Sequence, residues 1–299
     1  MAAGVTRGEL VAELAVVVGA PHEARFIVDE SLGLGLALGH PNPPVGVLDE
    51  SAVTAARAMA ARRAAGEPLQ YIFGHWPFRT LDLMIDRRVL IPRPETEQVV
   101  EVALAEARRL HELCGTPVVV VDAGTGSGAI ALSLAAELGP ALVAEVWATD
   151  ASTAALTVAA ENAARLRASA PRPWPDVALA EGSWLEPLPA RLRGRVALVV
   201  ANPPYVSEAE WGRLDDDVRA EPKAALVAGP ASDGTPGLAD VEAVLAQAQP
   251  WLGRPGAVVV ELAPQQAEAA RQRAAQLGYD EVEVRPDLAR RARALVARL

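Results

Sequence analysis

The spacing of apolar residues divides the chain into three parts. Up to residue 66, apolar residues recur at helical spacing, as in Leu10, Leu14 and Val18, and predict a small bundle of helices. Residues 67–92 alternate and turn, which predicts a β-hairpin that joins two domains. The aromatic side chains of this hairpin are expected mainly to pack in a core.

Residues 93–299 alternate between short apolar runs and helical patterns. This order predicts an α/β domain with a doubly wound, parallel sheet of seven strands, of which the last is antiparallel. The predicted strands lie near 118–122, 145–149, 176–180, 195–201, 256–262, 281–285 and 293–298. The predicted helices lie at 95–113, 128–138, 151–168, 238–252 and 264–277.

A polar corner, Asn202-Pro203-Pro204-Tyr205, follows the apolar run 195–201, which predicts a strand buried on both faces. The prolines keep the corner out of a helix and have no N–H group to donate. Backbone carbonyls, the Asn202 amide and the Tyr205 ring remain. Such a corner suits a planar NH2 group, which needs two acceptors and a stacking face.

A glycine-rich turn, residues 124–128, follows a second predicted strand that ends at Asp122. Glycines let the backbone approach a ligand, and the helix that follows is expected to offer free N–H groups to an anion. The next strand ends at Asp150, where doubly wound sheets place the acid that binds ribose hydroxyls. The pattern favours a nucleoside ligand over the alternative, a structural turn with Asp150 as a helix N-cap.

Two nucleoside ligands suit such a turn, a dinucleotide and S-adenosylmethionine. The sequence Gly-Thr-Gly-Ser-Gly lacks the third glycine at the dinucleotide spacing. Together with the acceptor-rich corner at 202–205, this difference favours S-adenosylmethionine. The chemistry expected is therefore methyl transfer to nitrogen.

Composition narrows the choice of compartment and partner. The 299 residues, 51% of them hydrophobic, suffice for one large core and one smaller core. A single cysteine, Cys114, excludes an internal disulfide framework and fits a reducing compartment, so a cytoplasmic location is expected. No apolar run is long enough to predict a membrane span. The net charge of −10, without any lysine-rich stretch, argues against direct nucleic-acid binding and would tolerate a basic protein partner.

These motifs together resemble the class I S-adenosylmethionine-dependent methyltransferases and, within them, the release factor glutamine methyltransferase family. IPRPETE with a downstream NPPY is specific to that family, whereas NPPY alone also occurs in adenine-N6 methyltransferases. The chain departs from the family at Arg290, where a glycine is usual, and at 229–236, which carries a short insertion. It also departs at 261–264, where Glu-Leu-Ala-Pro replaces a stretch that more often bears glycine or histidine. The resemblance spans 67–78, 87–97, 122–132, 181–188, 202–205 and 221–234.

The resemblance implies a Rossmann-like methyltransferase sheet in residues 93–299, with a hairpin linker at 67–92. The helical domain, residues 1–66, would dock the protein substrate, although a lid without a specific partner is equally compatible with its sequence. The implied enzyme is a peptide chain release factor N5-glutamine methyltransferase. It would use S-adenosylmethionine to methylate the glutamine of the Gly-Gly-Gln motif in class I peptide chain release factors, with no membrane partner and no metal.

The reaction assigns roles to the polar corner. The Asn202 side-chain oxygen and the Pro203 carbonyl are expected to accept the two N–H bonds of the substrate amide. Tyr205 is expected to pack on the plane of that amide, and Pro204 completes the substrate-binding corner. The alternatives are adenine-N6 methylation of nucleic acid and a cofactor-binding protein that has lost catalysis.

The cofactor site is expected at the strand ends upstream of this corner. Trp184 takes the place that the family uses beside adenine, although an ordinary core residue is the alternative. Asp122 is expected to orient the glycine turn, and Glu221 and Lys223 either brace the substrate side or form a surface ion pair. The residues assigned to the cofactor are Gly124, Thr125, Gly126, Ser127, Gly128, Asp150, Trp184 and Asn202.

Overall fold

A computed structural model describes residues 4–35, 46–170 and 173–299 of the chain. The described residues fall into two compact units. One contains the residues up to Pro77 together with Asp215–Ala220, and the other contains Phe78–Leu214 and Glu221–Leu299. The predicted domain limits at 66 and 92 stay predictions.

The first unit is built from helices, as the apolar spacing predicts. Helix α1 begins at a capping box formed by Thr6 and Glu9 and ends at Gly19, whose φ of 76° is left-handed. The apolar faces pack into one core that includes Leu10 and Ile27, both with no exposed surface. The helices before the hairpin are α1 (Arg7–Val18), α2 (Pro21–Ser31), α3 (Glu50–Ala64) and α4 (Leu69–Phe73).

The hairpin predicted over residues 67–92 is shorter than expected. Its strands are only β1 (His75–Phe78) and β2 (Leu81–Met84). The preceding residues form helix α4 instead of a strand, since Pro68 precedes its first turn and Gly74, with a φ of 78°, ends it. The prediction of a hairpin from alternating apolar residues was therefore wrong for this five-residue helix.

The second unit contains a seven-stranded sheet, and helices separate most of its strands along the chain. Its strands are β3 (Val118–Ala123), β4 (Val143–Asp150), β5 (Val177–Glu181), β6 (Val196–Ala201), β7 (Leu252–Glu261), β8 (Glu281–Pro286) and β9 (Ala292–Arg298). Its helices are α5 (Pro94–Cys114), α6 (Ala129–Leu142), α7 (Thr153–Ser169), α8 (Glu208–Trp211), α10 (Ala239–Ala248) and α11 (Ala267–Gln276), while α9 (Asp216–Arg219) belongs to the first unit.

The strand order is β5-β4-β3-β6-β7-β9-β8, and only β9 runs antiparallel to its neighbours. The predicted seven-stranded, doubly wound sheet with an antiparallel last strand is confirmed. All residues of β3 and β6 are buried, as expected for central parallel strands. Strand β7 begins at Leu252, which the sequence assigned to the end of a helix. Among the described residues, no helix is both long enough and apolar enough to cross a membrane.

Candidate active site

The register of the sheet brings three loops to one edge. Ala123 of β3 pairs with Thr149 of β4 and with Ala201 of β6, and all three strands are parallel. The residues that follow, among them Gly124 and Asn202, therefore leave the sheet side by side. This edge, at the carboxyl ends of the strands, is where doubly wound sheets bind their ligands.

A cavity of about 440 Å³ lies at this edge. Six of the residues assigned from sequence line it, namely Gly124, Gly126, Asp150, Trp184, Asn202 and Pro204. The other lining residues are Arg88, Val89, Leu90, Ala151, Ser152, Ala155, Ser183, Pro222, Ala224, Ala225 and Asp240. The structure thus joins the glycine turn, the acid that ends β4 and the polar corner in one space.

The remaining assigned residues are not among those that line this cavity. Thr125 and Ser127 are buried, and the Thr125 hydroxyl donates to Asp122 over 2.6 Å. Gly128 is the N-cap of α6, and Pro203 is buried while Tyr205 is half-buried. Side-chain contact with a ligand is therefore not expected for Thr125 or Ser127.

Asp122 holds the glycine turn in place, as the sequence predicts. Its Oδ2 accepts the Thr125 hydroxyl and, at 3.0 Å, the backbone N–H of Ala131. Its Oδ1 is buried and has no hydrogen-bond partner among the described residues. Burial raises the pKa of Asp122 to about 7 against the lowering effect of these hydrogen bonds.

Asp150 connects two loops at the cavity. Its Oδ2 accepts from Gly126 N at 2.8 Å, and its Oδ1 accepts from Ser152 N at 2.9 Å. The N-cap of α7 is Ser152, whose hydroxyl accepts from Ala155 N at 3.2 Å. The alternative that Asp150 serves as this N-cap is therefore wrong.

The backbone of the glycine turn is already hydrogen-bonded within the protein. The N–H groups of Gly124 and Thr125 both donate to the Thr149 carbonyl at 2.9 Å, and Gly128 N donates to the Thr125 carbonyl at 2.8 Å. With Gly126 bound to Asp150, four of the five turn amides have protein acceptors. The turn itself thus offers a ligand space rather than free donors, and the free N–H groups expected at the start of the following helix stay a prediction.

Trp184 and Gly124 form one wall of the cavity together. A Cβ atom on Gly124 would lie 2.9 Å from Trp184 Cζ3, so the ring needs a glycine there. Trp184 itself has a φ of 47°, and its carbonyl accepts the Thr149 hydroxyl at 2.5 Å. The side chain also packs against the main core, which means that the two interpretations of Trp184 are compatible.

The Asn202 amide is anchored on its nitrogen side. Asn202 Nδ2 donates to Thr96 Oγ1 at 3.1 Å, and Thr96 Oγ1 donates to Glu261 Oε2 at 2.8 Å. Nearby, the Tyr205 backbone carbonyl accepts from Gln266 Nε2 at 3.0 Å. Burial, followed by the charge of Glu261, raises the pKa of Tyr205 to about 12, so its phenol stays neutral.

Glu221 and Lys223 have different roles, although the sequence treated them alike. The Glu221 carboxylate is buried, accepts from Ile91 N at 2.8 Å and pairs with Arg93. Lys223 pairs with Glu208 at the surface, 2.6 Å away. Glu221 therefore braces the IPRPETE segment, whereas Lys223 forms the surface ion pair.

Sequence reasoning missed several residues of the cavity. Asp240, at the first turn of α10, lines the cavity, and burial raises the pKa of its carboxyl. Ser152 and Ser183 also lie in the wall. No local pattern marks Asp240, whereas Ser152 was detectable as a helix N-cap two residues after the acid.

Comparison with known proteins finds relatives over almost the entire chain. It is 41% identical over 296 residues to the release factor glutamine methyltransferase of Moorella thermoacetica, covering 97% of this chain and 96% of that protein. It is also 41% identical over 290 residues to the protein of that name from Bordetella pertussis, covering 94% and 96%. No family model matches the chain. Among solved structures it is similar to a ribosomal protein L11 methylase from Lactobacillus delbrueckii subsp. bulgaricus, with 23% identity, coverage of 68% and 79%, and a TM-score of 0.44.

Proposed function

The chain belongs to the release factor glutamine methyltransferase family, and from this premise we propose the reaction that it catalyses. The enzyme methylates the side-chain amide nitrogen, N5, of the glutamine in the Gly-Gly-Gln motif of class I peptide chain release factors. S-adenosylmethionine is the cofactor and supplies an electrophilic methyl group. The observation that carries the proposal is the 41% identity that spans 97% of the chain.

The cavity has the chemistry that this cofactor needs. The carboxylate of Asp150 and the carboxyl of Asp240 suit a ligand that bears ammonium and sulfonium charges as well as ribose hydroxyls. Trp184 provides an aromatic face for the adenine. Gly126 has a φ of 55° and no heavy atom within 4 Å of an added Cβ, which leaves room for the methionine end.

The polar corner is suited to an amide nucleophile. An amide nitrogen shares its lone pair with its carbonyl and attacks weakly, so it must be held in line and its growing positive charge stabilised. The Asn202 side-chain oxygen and the Pro203 carbonyl accept its two N–H groups, while Pro204 has no N–H to compete and Tyr205 packs on the amide plane. The N–CH3 bond would form as the S–CH3 bond of the sulfonium breaks, with S-adenosylhomocysteine as the leaving group. These N–H groups become stronger donors as the positive charge grows, and the nitrogen then loses one proton to solvent.

Two effects account for the acceleration. Preorganised acceptors at Asn202 and Pro203 contribute on the order of 3 kcal/mol each, by analogy with hydrogen-bond donors that stabilise oxyanions. Orientation of the nitrogen contributes about 7 kcal/mol or more. No strong base is needed before attack, because the methylated, positively charged amide is acidic.

The protein partner is a class I peptide chain release factor, and we assign its docking to the helical unit, residues 1–66. The exposed apolar side chains of Val16 and Val17 on α1 support this assignment, with exposed fractions of 84% and 49%. The net charge of −10 supports a basic partner over a nucleic acid. A role of these helices as a lid would leave substrate affinity unchanged when Val16 and Val17 are both replaced by serine.

The test is methyl transfer from labelled S-adenosylmethionine to a purified class I release factor. Its Gly-Gly-Gln to Gly-Gly-Ala variant, which lacks the glutamine, and an adenine-containing oligonucleotide are tested beside it as alternative methyl acceptors. Label on the unaltered release factor alone is the expected result. Label on the oligonucleotide, or equal label on both release factors, would overturn the proposed substrate.

A further inference from the structure

A buried chain of three polar side chains leads from Glu261 to the polar corner. Glu261 ends β7 and has no exposed surface, and Thr96, in the first turn of α5, is 3% exposed. Thr96 Oγ1 lies 2.8 Å from Glu261 Oε2 and 3.1 Å from Asn202 Nδ2. Burying a carboxyl group costs free energy, and Glu261 Oε1 accepts no hydrogen bond from the described residues, although Arg293 Nη1 lies 3.9 Å from it.

The hydrogen bonds of this chain have a defined direction. An ionised Glu261 can only accept, so the Thr96 hydroxyl must donate its one hydrogen to Oε2. Thr96 then has only lone pairs to offer, and Asn202 must turn its NH2 group toward it. The Asn202 oxygen is consequently the polar atom left for the cavity that this residue lines.

Asn202 cannot set this orientation by itself. A terminal amide has two nearly equivalent rotamers that exchange its oxygen and nitrogen. In the reaction proposed above, only the rotamer that presents oxygen can accept an N–H bond from the substrate amide. Resting on that proposed function, we propose that Glu261 and Thr96 are positioning residues that hold the Asn202 oxygen toward the substrate nitrogen.

The charge state of Glu261 sets the direction of the chain. Burial raises the pKa of Glu261 to about 7, against the hydrogen bond from Thr96 and the charge of Arg293, whose Nη1 lies 3.9 Å from Oε1. Glu95, Arg93 and the neutral Tyr205 are the other titratable groups that act on it. A protonated Glu261 can donate to Thr96, which would then donate to the Asn202 oxygen and turn the NH2 group toward the substrate.

The decisive variant is Glu261→Gln, which keeps the shape of the side chain. Arg293, beside Oε1, favours the rotamer that places the glutamine oxygen there, so the glutamine NH2 group faces Thr96. The NH2 group then donates to the Thr96 hydroxyl, which donates in turn to the Asn202 oxygen, so the direction of both hydrogen bonds is reversed. We expect kcat for release factor methylation to fall about 100-fold, while the cofactor Kd stays within about threefold. In the wild type, kcat should fall as the pH drops through about 7, and this acid limb should vanish in Glu261→Gln.

Further variants separate positioning from folding. Thr96→Val, which removes the hydroxyl at constant volume, should lower kcat as Glu261→Gln does, and Thr96→Ser should restore most of it. Glu106→Gln is the matched control. Glu106 is a buried acid on α5 that pairs with Arg298, and it lies about 15 Å along the helix from Thr96. It should leave kcat and the acid limb unchanged.

The orientation can also be followed without any substrate. The chain has three asparagines, Asn42, Asn162 and Asn202, so 15N-asparagine labelling gives three side-chain NH2 signals, and Asn202→Ala assigns one of them. That signal should titrate near pH 7 in the wild type and not in Glu261→Gln. A signal that does not titrate, or a Glu261→Gln enzyme with wild-type kcat and acid limb, would overturn the inference. A wild type that titrates but does not methylate the release factor would instead overturn the proposed function.

Discussion

Asp150 Oδ2 lies 2.8 Å from the backbone nitrogen of Gly126, which ties the end of β4 to the turn that follows β3. Asp150→Asn keeps the shape but can accept only one of the two N–H bonds and loses the charge. We expect the affinity for S-adenosylmethionine, measured by calorimetry, to fall about tenfold or more, or ~1.4 kcal/mol. Glu145→Gln, on the same strand but paired with Arg191, is the control. Equal affinities in both variants would contradict the role of Asp150.

Asn202→Ala removes the side-chain acceptor while leaving the Pro203 carbonyl in place. We expect kcat for methyl transfer to fall about 10²–10³-fold, the range for removal of one preorganised hydrogen bond. The cofactor Kd should stay within about tenfold of the wild-type value. A collapse of cofactor binding would assign Asn202 to the cofactor instead, and the acceptor mechanism would need revision.

Gly124→Ala should disturb the wall that this residue shares with Trp184. The added Cβ would lie 2.9 Å from the indole ring, and the backbone φ of 80° is unfavourable for alanine. We expect a loss of about 1–2 kcal/mol in the free energy of urea unfolding, together with weaker cofactor binding. Gly212→Ala is the control, since its φ is −68° and no heavy atom lies within 4 Å of its Cβ. Equal losses would argue against the steric account.

Glu221→Ala should destabilise the protein much more than Lys223→Ala. The first leaves the Ile91 N–H buried without its acceptor and removes the partner of Arg93, at a cost of about 2–3 kcal/mol. The second breaks a surface pair with Glu208, which is worth at most about 1 kcal/mol. Urea denaturation of both variants compares them, and similar losses would show that Glu221 does not brace the IPRPETE segment.

Arg290→Gly should stabilise the protein. Arg290 has a φ of 61° in the turn between β8 and β9, and a side chain costs about 1–2 kcal/mol in this conformation. Glycine removes that strain but adds backbone entropy to the unfolded chain, so a net gain of about 0.5–1 kcal/mol is expected. Arg290→Ala, which keeps the strain, should gain nothing. A midpoint of urea unfolding that does not rise for the glycine variant would contradict this account.

The sequence located the strands of the site well, because central parallel strands are continuous apolar runs with function at their ends. Val118–Ala123 and Val196–Ala201 are such runs, and the polar residues after them line the cavity. The short helix Leu69–Phe73 was not predicted, because five residues are too few to distinguish helical from alternating spacing.

The contacts behind the cavity could not be predicted from sequence. Thr96 and Glu261 are 165 positions apart and meet only because α5 packs beside the end of β7. The hydrogen bonds inside the glycine turn could not be predicted either, because Thr149 and Asp150, on the neighbouring strand, supply the acceptors. Local patterns identify which strand ends carry chemistry, whereas partners contributed by other elements require the fold.

The internal hydrogen bonds of the glycine turn also bear on how tightly a ligand can bind. Because Gly124, Thr125, Gly126 and Gly128 already donate to the protein, the turn keeps one conformation before a ligand arrives. Binding therefore does not lose free energy in ordering a loop, and the affinity reflects the contacts themselves. Amide hydrogens of this turn should exchange slowly with solvent in the ligand-free enzyme, almost as slowly as in its complex.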